Sequence, residues 1–162
     1  MILRTPTEVL KLEGLIVKEL KWLSDERGRL MEIMKSTDDI FRGFGQAHVT
    51  TVRPGFVKAW HVHHRQEELF TVISGAIRMG FYDQREGSPT FGKTAERILS
   101  ADTPLAVQVP RGVYHGFECE GGQEAVVLNI PSMPYDRNHP DEVRADPFKN
   151  DIPFQWKASQ GR

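Results

Sequence analysis

Three of the chain's six histidines fall within residues 55–75, GFVKAWHVHHRQEELFTVISG. His61 and His63 are separated by one residue, and on an extended strand that spacing puts both imidazoles on one face. Glu68 follows, and Gly75 closes the stretch. A further histidine, His115, lies downstream in VPRGVYHGF, after Pro110 and Gly112. His61, His63, Glu68 and His115 together make a donor set for a divalent transition metal. The same groups can instead act as base, acid and hydrogen-bond donors in a metal-free pocket. Residue types and spacing leave both chemistries open. His64 and His139 read as surface histidines.

Either chemistry needs rigid elements to hold these side chains. Residues 15–23 (LIVKELKWL) alternate in part and predict a strand, SDERG a turn, and residues 30–34 a second strand. Residues 38–44 predict a short helix with Ser36 or Asp38 as its N-cap. Residues 46–52 are rich in β-branched side chains and predict a strand ended by Arg53, Pro54 and Gly55. Residues 55–75 predict two strands around the HHRQE turn. In residues 75–82, Ile77, Met79 and Phe81 face one way, Arg78 and Tyr82 the other. Residues 83–93 form a polar loop. Leu105, Val107 and Val109 alternate before the turn at Pro110, and residues 114–118 and 125–130 add two more strands. From Pro131 the chain turns polar and proline-rich; this tail, with Tyr135, Asp146 and Trp156, wraps the surface or caps a pocket mouth. Short strands divided by Gly and Pro point to an all-β sandwich or barrel, and a jelly roll satisfies the pattern.

The bulk properties narrow the function class. At 162 residues the chain suits a single domain, 1–162, with a real core. A net charge of −1, without blocks of like charge, argues against nucleic acid or an anionic membrane as partner. Cys119 is the single cysteine, so no intrachain disulfide or thiolate cluster can form, and a reducing cytoplasm is the expected home. The N-terminal residues do not read as a signal peptide, and no apolar run approaches the ~20 residues of a membrane span.

The spacing Gly-x5-His-x-His-x4-Glu-x6-Gly, met by Gly55, His61, His63, Glu68 and Gly75, resembles the first motif of the cupin superfamily, and Pro110, Gly112 and His115 resemble part of the second. The whole chain resembles the dTDP-4-dehydrorhamnose 3,5-epimerase family more closely. The resemblance is carried in order by Asp25-Glu26-Arg27-Gly28, Glu32, Gln46, the His61 segment, Ser74-Gly75-Ala76, Ser88-Pro89-Thr90-Phe91-Gly92 and residues 110–117. It implies a cupin-type jelly-roll barrel with short peripheral helices, a homodimer, no required cofactor, and a nucleotide-linked 4-keto sugar as substrate. By the same resemblance His61 is the base, Asp146 the carboxylate that orients it, and His115 the second pocket histidine. Arg27 matches a phosphate-contacting arginine, Glu32 and Gln46 match pocket-lining positions, and Lys58 stands where the family has arginine. Lys58 and His61 are three apart, so both can line one pocket only if a bulge interrupts the strand. Glu68 stands where the family has a lysine that holds the enolate. The family's acid tyrosine aligns near Met133, leaving Tyr135 as its replacement. Two alternatives stay open beside an epimerase: a metal-dependent cupin isomerase or oxygenase, and a non-catalytic sugar-nucleotide-binding protein.

Overall fold

The computed structural model describes residues 12–162, and within them every regular element is a strand. In chain order these are β1 (Ile16–Glu19), β2 (Trp22–Asp25), β3 (Gly28–Met31), β4 (His48–Val52), β5 (Phe56–His63), β6 (Glu68–Ser74), β7 (Ala76–Asp83), β8 (Thr94–Ser100), β9 (Leu105–Val109), β10 (Val113–Cys119), β11 (Ala125–Pro131), β12 (Glu142–Arg144) and β13 (Gln160–Gly161). Two sheets face each other. One is five-stranded in the order β1-β9-β6-β11-β4; the other is six-stranded, β12-β5-β10-β7-β8, with β13 added to β5. All pairs within them are antiparallel except β13 on β5. This is the jelly roll that the strand pattern predicts and the cupin-type barrel that the family resemblance implies, but without the short peripheral helices among the described residues.

The alternation read in the sequence builds the core. Ile77, Met79 and Phe81 of β7 point inward and meet Phe70, Val72, Val107, Val109 and Val127 from the opposite sheet. Burying a side chain of this size contributes about 1.5–3 kcal/mol. Residues 15–23 divide into β1 and β2, because the chain between them is held at Leu20, whose N–H donates to Pro104 O. β2 and β3 then form a separate two-stranded hairpin, with Leu23 and Leu30 paired and both exposed.

The helix predicted over residues 38–44 is replaced by turns. Asp38 accepts from Lys35 N–H and from the Lys18 ammonium, which commits it to bridging the chain rather than to capping a helix. Ile40 is the single buried anchor of the segment, and Gly43, at φ 105°, bends the chain back. β8 lacks a clear apolar pattern because Glu96 and Arg97 interrupt it; its Leu99 is buried and its Ile98 exposed, as an edge strand permits.

The tail packs on the outer face of the six-stranded sheet. Phe154 packs edge-to-face and Trp156 tilted against Trp60, at centroid distances of 5.4 and 4.8 Å. They lie directly over Gly80, where a Cβ would come within 2.7 Å of Phe154. Arg78, on the outward face of β7 as expected, pins the segment. Its guanidinium donates to Glu118 Oε1 at 2.7 Å, to Glu96 and to Gln155 O, and lies 4.7 Å from the Phe154 ring, while Glu118 Oε2 accepts from Ala158 N–H. Glu118 is buried, so removing it strands a cation and a backbone donor. Glu118→Ala is expected to lower stability by about 3 kcal/mol in chemical denaturation, and to make residues 152–158 the first site cut in limited proteolysis.

Candidate active site

The bulge that the Lys58–His61 spacing requires is present. On β10 the partners of His61 and Lys58 are His115 and Phe117, so three steps along β5 match two along β10. The extra residue lies at Ala59–Trp60. It fits because Gly116 sits opposite, where a Cβ would come within 2.3 Å of the Ala59 Cβ. The backbone of Trp60 exchanges both its hydrogen bonds with Ala145 just beyond β12. Lys58, His61 and His63 thereby reach the interior together, while Trp60 packs on the outer face.

They line a cavity of about 490 Å³ between the sheets. The five-stranded sheet contributes His48, Thr50, Glu68, Phe70 and Asn129; the other sheet contributes Lys58, His61, His63, His115, Phe117, Glu142 and Arg144, and Arg162 follows β13 at the same cavity. A neighbouring cavity of about 540 Å³ shares Lys58 and Arg162 but has no imidazole or carboxylate in its lining. Lys58 donates to Thr50 Oγ1 at 2.7 Å, and burial pushes its ammonium pKa down, partly offset by Glu124.

Glu68 is buried between two imidazoles. Its Oε2 stands 2.8 Å from His115 Nε2 and 3.3 Å from His63 Nε2. Burial alone would raise its pKa, but the hydrogen bonds and charges of His115 and His63 hold it far below the usual carboxylate range. Burial works against the His63 imidazolium, yet the hydrogen bond and charge of Glu68 outweigh it and raise the pKa. Gln66 bridges the group, its amide nitrogen 3.3 Å from His63 Nδ1 and 3.2 Å from Glu68 Oε1. His115 Nδ1 faces Val113 O at 3.1 Å.

His61 differs from these two. Burial, then the charge of His115, push its pKa down to about 4, so the ring is neutral near pH 7. Its Nε2 stands 3.5 Å from Glu142 Oε1. Glu142 and Arg144 lie opposite His63 and His61 in the β12–β5 register, and Arg144 donates to Glu142 Oε2 at 3.0 Å. A neutral imidazole beside a carboxylate, open to a cavity, has the form of a general base.

The other residues expected in the site lie elsewhere. Asp146 is exposed, and its carboxylate accepts from the N–H groups of Phe148 and Lys149, closing a turn; Glu142 is the carboxylate beside His61. Tyr135 is exposed and lines a side cavity of about 230 Å³ that shares His63 and Glu142 with the main one. Gln46 does not line the main cavity; its Oε1 accepts from Tyr135 N–H at 2.9 Å and so fixes that loop. Arg27 is at the exposed tip of the β2–β3 hairpin, paired with Asp25, and Glu32 is exposed just after β3. Neither lines the cavity within the single chain. Of the four metal-ligand candidates, His63, Glu68 and His115 bring ligand atoms within 4.8 Å of one another, and His61 is outside that group. Asn129 escapes sequence reasoning although a signal exists: it occupies the inward phase of β11 after Ala125 and Val127, where a polar side chain is unexpected.

Comparison with known proteins places this geometry. The family model described as dTDP-4-dehydrorhamnose 3,5-epimerase matches residues 9–161. The chain belongs to the dTDP-4-dehydrorhamnose 3,5-epimerase family. That is a family of carbohydrate epimerases. Among relatives, the spore coat polysaccharide biosynthesis protein SpsL of Bacillus subtilis is 32% identical over 147 residues, spanning 91% of this chain and 97% of that protein. A probable low-salt glycan biosynthesis epimerase of Haloferax volcanii is 33% identical over 144 residues, 88% of this chain and 92% of the relative. The crystal structure of a dTDP sugar isomerase from Desulfovibrio desulfuricans superposes with a TM-score of 0.83 at 32% identity, over 89% of this chain and 91% of that one. No helix among the described residues is long and apolar enough to cross a membrane.

The placement of the two carboxylates in this epimerase fold is open to direct test. Glu142→Gln should shift the ring resonances of His61 in heteronuclear NMR spectra, whereas Asp146→Asn should leave them in place. The reverse result would put Asp146 at the imidazole.

Proposed function

We propose that the protein is a nucleotide-sugar epimerase that acts next to the ketone of a dTDP-linked 4-keto-6-deoxy sugar, in the cytoplasm and as a homodimer, in the supply of a surface polysaccharide. The observation that carries the reading is His61: a neutral imidazole, lining a cavity and backed by the Glu142 carboxylate. A proton beside a ketone is acidified because the carbanion spreads onto oxygen as an enolate, and a positioned imidazole with a pKa below the working pH is deprotonated and ready to take it. The cavity accommodates a hexose, and Lys58, Arg144 and Arg162 line it as cations suited to a diphosphate. Relatives named for dTDP sugars and for spore coat polysaccharide or glycan biosynthesis support the substrate class.

Removal of the proton and its return are separable here. Tyr135, the donor implied by the family resemblance, is outside the main cavity, in the adjoining one. In heavy water, with a dTDP-linked 4-keto-6-deoxy sugar, the protein is expected to exchange a ring proton faster than it inverts the centre, both followed by proton NMR. His61→Asn should abolish exchange. Tyr135→Phe should spare exchange and slow inversion about a hundredfold or more, in line with the usual weight of general acid catalysis. Absence of exchange with any of several nucleotide-linked keto sugars would exclude the epimerase reading.

The homodimer is supported by the β2–β3 hairpin, whose cross-strand pair Leu23 and Leu30 is exposed on a two-stranded sheet of the kind that is marginal alone. Light scattering at micromolar concentration should report twice the chain mass, and Leu23→Asp with Leu30→Asp should halve it.

A further inference from the structure

Charge that develops on an enolate oxygen is stabilised by donors already fixed in place, so the cavity needs one such group beside its base. Most of the cationic side chains in the lining are spent or unfixed. His63 and His115 are turned onto the Glu68 carboxylate, at 3.3 and 2.8 Å. Arg144 gives its charge to Glu142, the carboxylate behind His61. His48 and Arg162 are exposed, and among the described residues no hydrogen bond fixes either side chain. Lys58 differs from all of these. Its ammonium reaches across the gap between the sheets to Thr50 Oγ1 on β4, at 2.7 Å. That partner is a neutral hydroxyl, so the charge is held in place without being cancelled. Two of the three ammonium N–H groups are left for a ligand. Among the described residues no carboxylate forms an ion pair with it, and Glu124 acts on it only through space.

We propose that Lys58 is a catalytic residue of the epimerase, its ammonium holding the enolate oxygen while His61 removes the proton. The role rests on the epimerase reading. It assigns Lys58 to the reacting carbonyl and leaves the guanidiniums of Arg144 and Arg162 for the diphosphate. Its placement follows from the bulge in β5. Lys58 and His61 stand opposite Phe117 and His115, which are two residues apart on β10. The bulge therefore makes them successive inward positions on one wall, about 7 Å apart along the strand, within the reach of a lysine stem. In the step, His61 takes the proton from the carbon beside the ketone. The C–H electron pair becomes a C=C bond, and the carbonyl π pair moves onto oxygen, where an N–H of Lys58 meets it. Return of a proton to that carbon sends both pairs back. Burial disfavours the Lys58 ammonium in the free protein, and an enolate oxygen relieves that cost by supplying the missing counter-charge.

The test follows proton exchange by the full chain in heavy water, with a dTDP-linked 4-keto-6-deoxy sugar at a series of concentrations. Lys58→Met should lower kcat for exchange about a hundredfold or more, the usual cost of losing one donor to a developing oxyanion, and leave KM within about threefold of its value. Lys58→Arg keeps the charge and should recover part of the loss. Thr50→Val, which unfixes the ammonium, should lower kcat by a smaller factor. Titration calorimetry with dTDP alone should give Lys58→Met the affinity of the unmutated protein, which also shows that its cavity is intact. A raised KM and weakened dTDP binding at unchanged kcat would make Lys58 a phosphate ligand and overturn the proposal. The two readings fail differently. Exchange that Lys58→Met leaves at full kcat rejects the role of Lys58 and leaves the function standing. No exchange by the unmutated protein, on any of several nucleotide-linked keto sugars, rejects the epimerase reading and the role with it.

Discussion

Glu68 stands on a strand of the five-stranded sheet, and both of its imidazole partners stand on strands of the other sheet. A buried carboxylate cannot remain charged without such partners, and buried imidazoles of this kind need an acceptor. The contact therefore ties the two sheets at one end of the barrel by charge, whereas the core further along the interface is tied by apolar burial. It also determines what else can occupy that end. With Glu68 taken by His63 and His115, the other histidine of β5 in the cavity, His61, is left to face it with its ring neutral. A neutral imidazole and a charged cluster thus coexist a few residues apart because their environments differ, one set paired across the sheets and the other turned toward β12.

The opposite face of the six-stranded sheet is organised by the same rule with different chemistry. Residues of the tail cover Trp60 and Gly80 with aromatic rings, and Arg78 with Glu118 satisfies the backbone groups that this covering would otherwise leave buried and unpaired. β5 is therefore supported on both sides: its inward side chains form the site, and its outward ones anchor the tail. The rigidity of the site owes as much to the outer layer as to the barrel.

Most of the barrel was legible in the sequence because its strands alternate cleanly or are bounded by glycine and proline. β7 shows this best, with Ile77, Met79 and Phe81 in the core and Arg78 outside. The helix expected over residues 38–44 failed because an Asp in capping position has other uses, here holding Lys18 and Lys35. β8 was missed because an edge strand needs only one apolar face. In the site, His61, His63, Glu68 and His115 were legible from the spacing of two short motifs, whereas His48 on β4 carries no such signal. Glu142 was not, since its position opposite His63 depends on the β12–β5 register, which no local pattern encodes. Asp146 was misplaced for the converse reason: a segment that matches a family motif can still spend its carboxylate on closing its own turn.

The bulge in β5 has an evolutionary side. It separates the strand into two phases, one holding Lys58 and the other His61 and His63. One more residue at Ala59–Trp60, taken up by the strand, would rotate the upstream phase by half a pleat, turning Lys58 outward and Val57 inward, while the histidines and their partners kept their register. The side chains that the two phases of this strand present to the cavity are in that sense independently heritable, separated by one residue. A lineage could change which side chains line the mouth of the barrel by an insertion there, without rebuilding the histidine cluster below it.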